Sequence, residues 1–311
     1  MRIYIYIHIY MEDKCRYVSS RGIAKSCSFY PEKITSDNTK YKLYFNNVII
    51  LKNQFDGMSI YVVSNLLKKF VNDILPKIKK KFILVSGASV KTCPVEALNA
   101  GEFNKLMSNN NIIRWCSQNN TIVNRPKIIQ IPLGLDYHTI SSNPSHSWNH
   151  DKKHTKPIEQ ETDLMNIKLT SDPFYLRKRL IFINFSLSTD RHGQRKDCLN
   201  AKISKELLCV KLQTMKRIDT WKMTANYAFV LSPYGNGMDC HRTWEALLLG
   251  CIPIIKTDTL GPLFKDLPVL IVNKWSDINK ELLDNTIELF KNKEFNYDKL
   301  TLNYWTKYLS L

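Results

Sequence analysis

The chain reads as an α/β protein built of two Rossmann-like, doubly wound units that face each other across a cleft. Three observations predict this. Short β-rich runs alternate with stretches of helical periodicity in both halves of the 311 residues, the order expected of mainly parallel sheets. A polar segment rich in histidine and lysine separates the halves. In the second half a buried run feeds a glycine-containing turn and then a helix start, a junction suited to phosphate. The expected division is an N-terminal unit over 1–145, a linker or surface excursion over 146–172, and a C-terminal unit over 173–311 that carries the terminal helices.

Composition supports a globular chain. An apolar content of 44% with 23% charged residues excludes disorder, and the length suffices to bury a substantial core. The longest apolar runs, such as 227–231 and 269–272, fall far short of a membrane span. Lys and Arg number 45 against 28 Asp and Glu, a net charge of +17 that attracts phosphate-bearing ligands, nucleic acid, anionic lipid or an acidic polymer. The basic residues are scattered, and abundant Lys, Asn, Ile and Tyr make part of the charge compositional. Eight cysteines show no C-x-x-C pairing, as in a reduced, cytoplasmic protein. No small-residue cleavage site follows the N-terminus, so the sequons at Asn119 and Asn184 carry little weight.

Taken in order, residues 1–10 alternate Ile with a mostly aromatic partner, a strand pattern, and 47–51 reads as a short buried strand. Residues 59–78 place Val62, Leu66, Phe70 and Ile74 at helical spacing, with Pro76 near the end. A strand is expected over 81–85, closed by the turn Ser86-Gly87-Ala88-Ser89. A helix over 97–107, a strand over 111–115 and a strand over 127–133 ending at Gly134 complete the first unit. From 141 to 172 the pattern collapses around Pro144 and Pro157. His146, His150 and His154 lie there at four-residue spacing among Lys152, Lys153 and Lys156. A loop-like context lacks the rigidity of a metal site, so no metal is assigned to them.

The second unit resumes with a strand over 179–185, a helix over 203–212 and a strand over 227–231. A helix over 239–249 and strands over 252–256 and 267–272 follow, then a helix over 279–291. The stretch 227–272 carries the chemistry. Asp239 is placed to cap the helix, Gly250 to end it with positive φ, and Pro253 follows where a helix cannot continue. Free N–H groups and the helix dipole then point at an anion near Gly235 and Gly237. Arg242 and Glu245 share one face of that helix. A guanidinium there can pair with a diphosphate, and a carboxylate one turn on can accept two ribose hydroxyls. Spacing alone would equally fit an ordinary surface pair.

The fuller string resembles a known family. Ser232-Pro233-Tyr234-Gly235, Arg242-x-x-Glu245-Ala246-Leu247, Gly250-Cys251-Ile252-Pro253 and Ile254-Ile255 are similar to the signature of exostosin-type glycosyltransferases of the GT-B class. Five upstream segments are similar to exostosin-like proteins, including those of large DNA viruses: Tyr17-Val18-Ser19-Ser20-Arg21-Gly22-Ile23, Leu84-Val85-Ser86-Gly87, Trp115-Cys116-Ser117-Gln118-Asn119, Ile131-Pro132-Leu133-Gly134-Leu135-Asp136 and Asn184-Phe185-Ser186. The resemblance covers about 15–275. It implies a nucleotide-sugar donor in the second unit and a glycan or other hydroxyl acceptor in the cleft. It places Arg242 on the donor diphosphate, Glu245 on the ribose, and Ser232, Gly235, Asn236 and Gly237 around the donor.

Two departures stand out. Tyr234 replaces a basic residue common before the glycine, a charge that Arg191, Arg195 or Lys256 could supply. Ala88 and Val90 stand where relatives often carry acids. No Asp-x-Asp occurs, so the expected transfer is metal-independent, without a cofactor, and by family resemblance inverting. A general base is expected at the end of a first-unit strand, with Asp136 and His138 the best candidates and Glu96 a weaker one. Two rival readings are a catalytically silent glycan- or nucleotide-binding protein and a nucleic-acid-binding protein. The latter shows no helix-turn-helix, zinc finger or aromatic RNA-binding motif.

Overall fold

The structure, a computed structural model, describes residues 12–31, 34–35, 52–150 and 155–311. The strands expected over 1–10 and 47–51 lie outside the described residues, as do Lys152, Lys153 and His154. Two parallel sheets form. The first runs β1 (Met58–Val63), β2 (Phe82–Gly87), β3 (Ile112–Ser117) and β4 (Ile128–Gln130), in that spatial order. The second contains β5 (Lys178–Ile183), β6 (Leu208–Val210), β7 (Tyr227–Leu231), β8 (Ile252–Lys256) and β9 (Leu270–Val272), in the order β6-β5-β7-β8-β9. All pairings are parallel.

Burial on both faces explains the strand sequences. Every residue of β1, β2 and β7 is buried, so these strands are mostly apolar runs without alternation, interrupted by Ser59 in β1 and Ser86 in β2. That property misleads at the start of the helix expected over 59–78. Residues 58–63 are β1, and helical structure occupies only 64–77, where Leu66, Phe70 and Ile74 turn inward. Val62 falls in phase with them by coincidence and lies in the strand. The next helix is α1 (Ala100–Ser108), opened by a capping box in which Asn99 and Glu102 bond each other's backbone N–H.

The segment 146–172 buries more than its polarity suggests. Helix α2 (Pro157–Leu169) turns Pro157, Gln160, Glu161, Leu164 and Ile167 inward, a helical period carried partly by polar residues. Glu161 accepts hydrogen bonds from the N–H of Arg16 (2.9 Å) and Tyr17 (3.0 Å) and from the Tyr137 hydroxyl (2.5 Å).

In the second unit the helix expected over 203–212 does not form. A single 3-10 turn (Lys205–Leu207) leads into β6, because Ile203 and Leu207 are drawn into the core beneath β5. The helices there are α3 (Gln194–Asn200) and α4 (Arg217–Thr224), both absent from the apolar pattern. In α4 the buried positions are Arg217, Trp221 and Thr224, so its inward face is largely polar. Helix α5 (His241–Leu248) and helix α6 (Lys280–Lys291) follow, the latter capped by Asn279. Gly250, at φ 79°, ends α5 as expected.

The chain end returns to the first unit. Val18 donates to the Leu300 carbonyl (2.9 Å) and Leu302 to the Arg16 carbonyl (2.8 Å), while Leu300, Leu302, Trp305 and Leu309 enter the apolar core that holds β1 and β2. That core continues through Trp221, Trp244 and Phe264, joining the two units. Among the described residues no helix is long and apolar enough to cross a membrane.

Candidate functional site

Strand order reverses at β5, whose neighbours β6 and β7 lead the chain to opposite sides. Ligands of open parallel sheets bind outside the strand C-termini at such a reversal. A cavity of about 700 Å³ lies there. The second unit contributes Phe185, Ser186 and Thr189 after β5, and Gly235, Asn236 and Gly237 after β7. Facing them are Ser89 after β2, Asn119 after β3, and Asp136 and His138 after β4. The C-terminal edges of both sheets therefore share one cleft.

The second-unit wall is cationic. Arg242 and Glu245 both line the cavity from α5. Arg242 is half-buried, with Nη1 donating to Ser232 Oγ and the Pro233 carbonyl, each at 3.3 Å. Its guanidinium lies 5.1 Å from the Phe185 ring centre, and that of Arg195 lies 5.6 Å from the same centre. Burial draws the Arg242 pKa down to about 10, which leaves it a cation at neutral pH. Arg195, only 7% exposed, donates to the carbonyls of Tyr234 (3.1 Å) and Ser186 (2.5 Å) and to the Thr189 hydroxyl. Neither guanidinium is ion-paired among the described residues.

The glycines serve these contacts. A Cβ on Gly235 would lie 2.3 Å from Arg195 Nη2, and one on Gly237 would lie 3.2 Å from Asn119 Nδ2. Asp239, expected to cap α5, does otherwise: the cap position is Cys240, without a side-chain bond. The Asp239 carboxylate accepts from Leu133 N–H of the first unit (2.7 Å) and from Trp244 Nε1 (2.9 Å), and its own N–H donates to Asn119 Oδ1 (2.9 Å). Burial raises its pKa to about 6, against these hydrogen bonds.

Other expected donor residues lie elsewhere. Ser232 is buried behind Arg242, in contact with the Thr243 hydroxyl (2.7 Å). Lys256, at the end of β8, does not line the cavity. Arg191 is spent on an ion pair with Glu96, which the Thr92 N–H (2.7 Å) and hydroxyl (3.0 Å) also hold, outside the cavity lining. Of the three cations expected to replace the charge lost at Tyr234, only Arg195 reaches the cavity. The Tyr234 hydroxyl donates to Asp258, and burial together with that charge pushes its pKa up.

On the first-unit wall Asp136 and His138 form a pair. Asp136, 5% exposed, accepts at Oδ1 from the Thr139 N–H (2.9 Å), and the same oxygen lies 3.0 Å from His138 Nδ1. Its Oδ2 accepts from Arg217 Nη2 (3.0 Å) and the Thr139 hydroxyl (2.7 Å). Burial would raise its pKa, but Arg217 above all, then His241, His138 and Thr139, hold it well below the usual carboxylate range. Burial lowers the His138 pKa to about 4 despite Asp136, aided by Arg21, His241 and Arg217. The imidazole is therefore neutral at pH 7, with Nδ1 beside the Asp136 carboxylate. His241, from α5, packs edge-on to it at 5.9 Å between ring centres and bonds the Gly134 carbonyl through Nδ1 (2.7 Å).

Sequence reasoning missed Arg217 and His241, and gave no role to Arg21 or Asn119, all of which line the cavity. Arg217 had no motif to mark it. Its only signal is the spacing of 217, 221 and 224 along α4.

Two parallel α/β units sharing a cleft at their strand C-termini define the GT-B class of fold. No family model matches the chain, and no curated protein matches it in sequence. Among solved structures, the chain is similar to the catalytic domain of starch synthase IV from Arabidopsis thaliana bound to ADP and acarbose, over 90% of this chain and 78% of that one, at 11% identity and a TM-score of 0.36. It is also similar to an α1,3-fucosyltransferase, over 92% and 93% of the two chains, at 13% identity and a TM-score of 0.39.

Proposed function

We propose that the chain is a glycosyltransferase that moves a sugar from a nucleotide-sugar donor to a hydroxyl acceptor, without a metal ion and with inversion. The observation that carries this reading is the division of the cleft. One wall presents the Arg242 and Arg195 cations, which no carboxylate pairs among the described residues, and the facing wall presents a neutral imidazole 3.0 Å from a buried carboxylate. The donor side would be the second unit, from residue 173 up to the chain end that returns to the first unit, and the acceptor side 1–145. The donor diphosphate would lie against Arg242 and the start of α5, with Arg195 behind the glycine turn and Ser232 steering the Arg242 guanidinium. Glu245 is free to accept two ribose hydroxyls.

In the transfer step His138 Nε2 removes the acceptor hydroxyl proton as the oxygen forms its bond to the anomeric carbon. The bond to the donor diphosphate breaks, and its electron pair leaves on the phosphate oxygen, where Arg242 offsets the growing charge. Asp136 keeps the imidazole oriented and does not itself take the proton.

A second reading, binding without catalysis, has one observation in its favour: Ala88 and Val90 line the cavity and offer no acid. A thermal-shift screen against UDP-, GDP-, ADP- and CMP-sugars in chelator, followed by assay of the released nucleotide (a nucleoside diphosphate, or CMP from the last), separates the two. A raised Tm with nucleotide release supports transfer. A raised Tm without release or transfer to any acceptor supports silent binding, and no shift with any nucleotide sugar removes both.

A further inference from the structure

The carboxylate that orients His138 is itself gripped from the opposite unit. Asp136 and His138 follow β4 of the first sheet, whereas Arg217 opens α4, which leads into β7 of the second. The guanidinium is 7% exposed, 4.8 Å from the Trp148 ring centre and 5.9 Å from that of Trp221. Nη1 donates to the Asp136 carbonyl and to Gln160 Oε1 (3.2 Å), and Nη2 donates to Asp136 Oδ2 (3.0 Å). Gln160 is fixed in turn by the Tyr137 carbonyl (2.9 Å) and the Ser141 hydroxyl (3.0 Å). Oδ2 of Asp136 is thereby committed to Arg217, and Oδ1 is left beside the imidazole, 3.0 Å from Nδ1.

We infer that Arg217 is a positioning residue for the base: by holding Oδ2 it keeps Oδ1 beside His138 Nδ1, which favours the ring proton on that nitrogen and leaves Nε2 unprotonated. The inference rests on the reading of His138 as the base. A guanidinium that merely tied the units together would need neither the carboxylate contact nor a place beside a titrating ring. The arrangement also has an electrostatic side. The groups that face His138 are Asp136, Arg217, Arg21 and His241. Of these only Asp136 favours the imidazolium, and Arg217 offsets that charge. Without the arginine, the paired anion would pull a proton onto the ring and the base would be occupied.

The test compares wild type with Arg217→Gln and Arg217→Lys by nitrogen NMR of labelled histidine, the His138 signal being assigned by its loss in His138→Gln. Wild type should show a neutral ring protonated at Nδ1 through neutral pH. In Arg217→Gln the ring should titrate at higher pH and lose the single tautomer, and Arg217→Lys should fall between. Transfer by Arg217→Gln should drop about ten- to a hundredfold in kcat, the usual loss when an orienting partner is removed, with nucleotide affinity unchanged. Should Arg217→Gln not fold, the lysine variant carries the comparison. Identical tautomer and titration in wild type and variant would overturn the inference. The spectrum requires no turnover, so a wild type that fails to transfer sugar would end the functional reading and leave this result to stand or fall separately.

Discussion

Arg242 and Glu245 sit one turn apart on α5 and face the same cavity, yet their tasks differ. Glu245 would meet uncharged hydroxyls, so Glu245→Ala should weaken nucleoside binding by about 1.5–3 kcal/mol, the worth of a charge-assisted hydrogen bond, as read by calorimetry. Arg242→Ala should cost similar affinity and lower kcat as well, because diphosphate charge grows in the transition state. If the two variants lost kcat equally, that separation would be wrong. Gly235 shows how a motif can be legible while its reason is hidden. The sequence marks the glycine turn as an anion approach, whereas a Cβ there first meets Arg195 Nη2 at 2.3 Å. Three acceptors tie that guanidinium, so Gly235→Ala should destabilise the fold by about 1–3 kcal/mol by displacing it, measurable as a lower Tm before any ligand is added.

Elements were legible where one force dominated. β7, β8 and α6 match their expected bounds closely, because continuous burial and an Asn cap each leave a local signature. Where burial is polar the signature is lost. α2 turns Gln160 and Glu161 inward and α4 turns Arg217 inward, so neither helix shows an apolar stripe. β6 is three residues long, too short for any period to declare itself, and its approach through Ile203 and Leu207 mimics a helix. The worth of the polar contacts can be tested at Glu161. Its carboxylate serves the N–H groups of Arg16 and Tyr17 and the Tyr137 hydroxyl, all distant in sequence. Glu161→Ala strands buried donors and should cost roughly 3 kcal/mol or more in urea unfolding, with Glu161→Gln milder. A loss below about 1 kcal/mol would mean that water replaces the carboxylate freely.

At the scale of the whole molecule, the two sheets were legible from alternation, and the site that joins them was legible in part on each side. Much of the second-unit wall is contiguous in sequence, from Gly235 to Glu245. The facing wall gathers Arg21, Asn119, Asp136 and His138 from separate loops, and Arg217 completes it from the other unit. A net charge of +17 adds a long-range field, so nucleotide affinity should fall as salt rises and should be indifferent to chelator. Restoration of binding by Mn²⁺ after chelation would contradict the metal-free site. The same junction sets a pH response. His138 is neutral in the fold with a pKa of about 4, against the ordinary imidazole value of 6.5, so its folded pKa is depressed. Such a group gives stability that is present above the unfolded pKa and is lost as pH falls from 6.5 toward 4. Asp136 works in the same direction at lower pH. Asp239, raised to about 6, works in the opposite one, giving stability below its unfolded pKa that is lost as pH rises through about 6. Between pH 6.5 and 4 the two partly cancel, and removing the histidine should unmask the aspartate. His138→Gln should therefore lose less stability than wild type on acidification over that range, by up to about 3 kcal/mol for a shift of this size. Urea unfolding of both proteins at steps of pH provides the measurement. Parallel curves for the two proteins would mean that His138 is already solvated and free to protonate in the fold, which would disqualify it as a buried base.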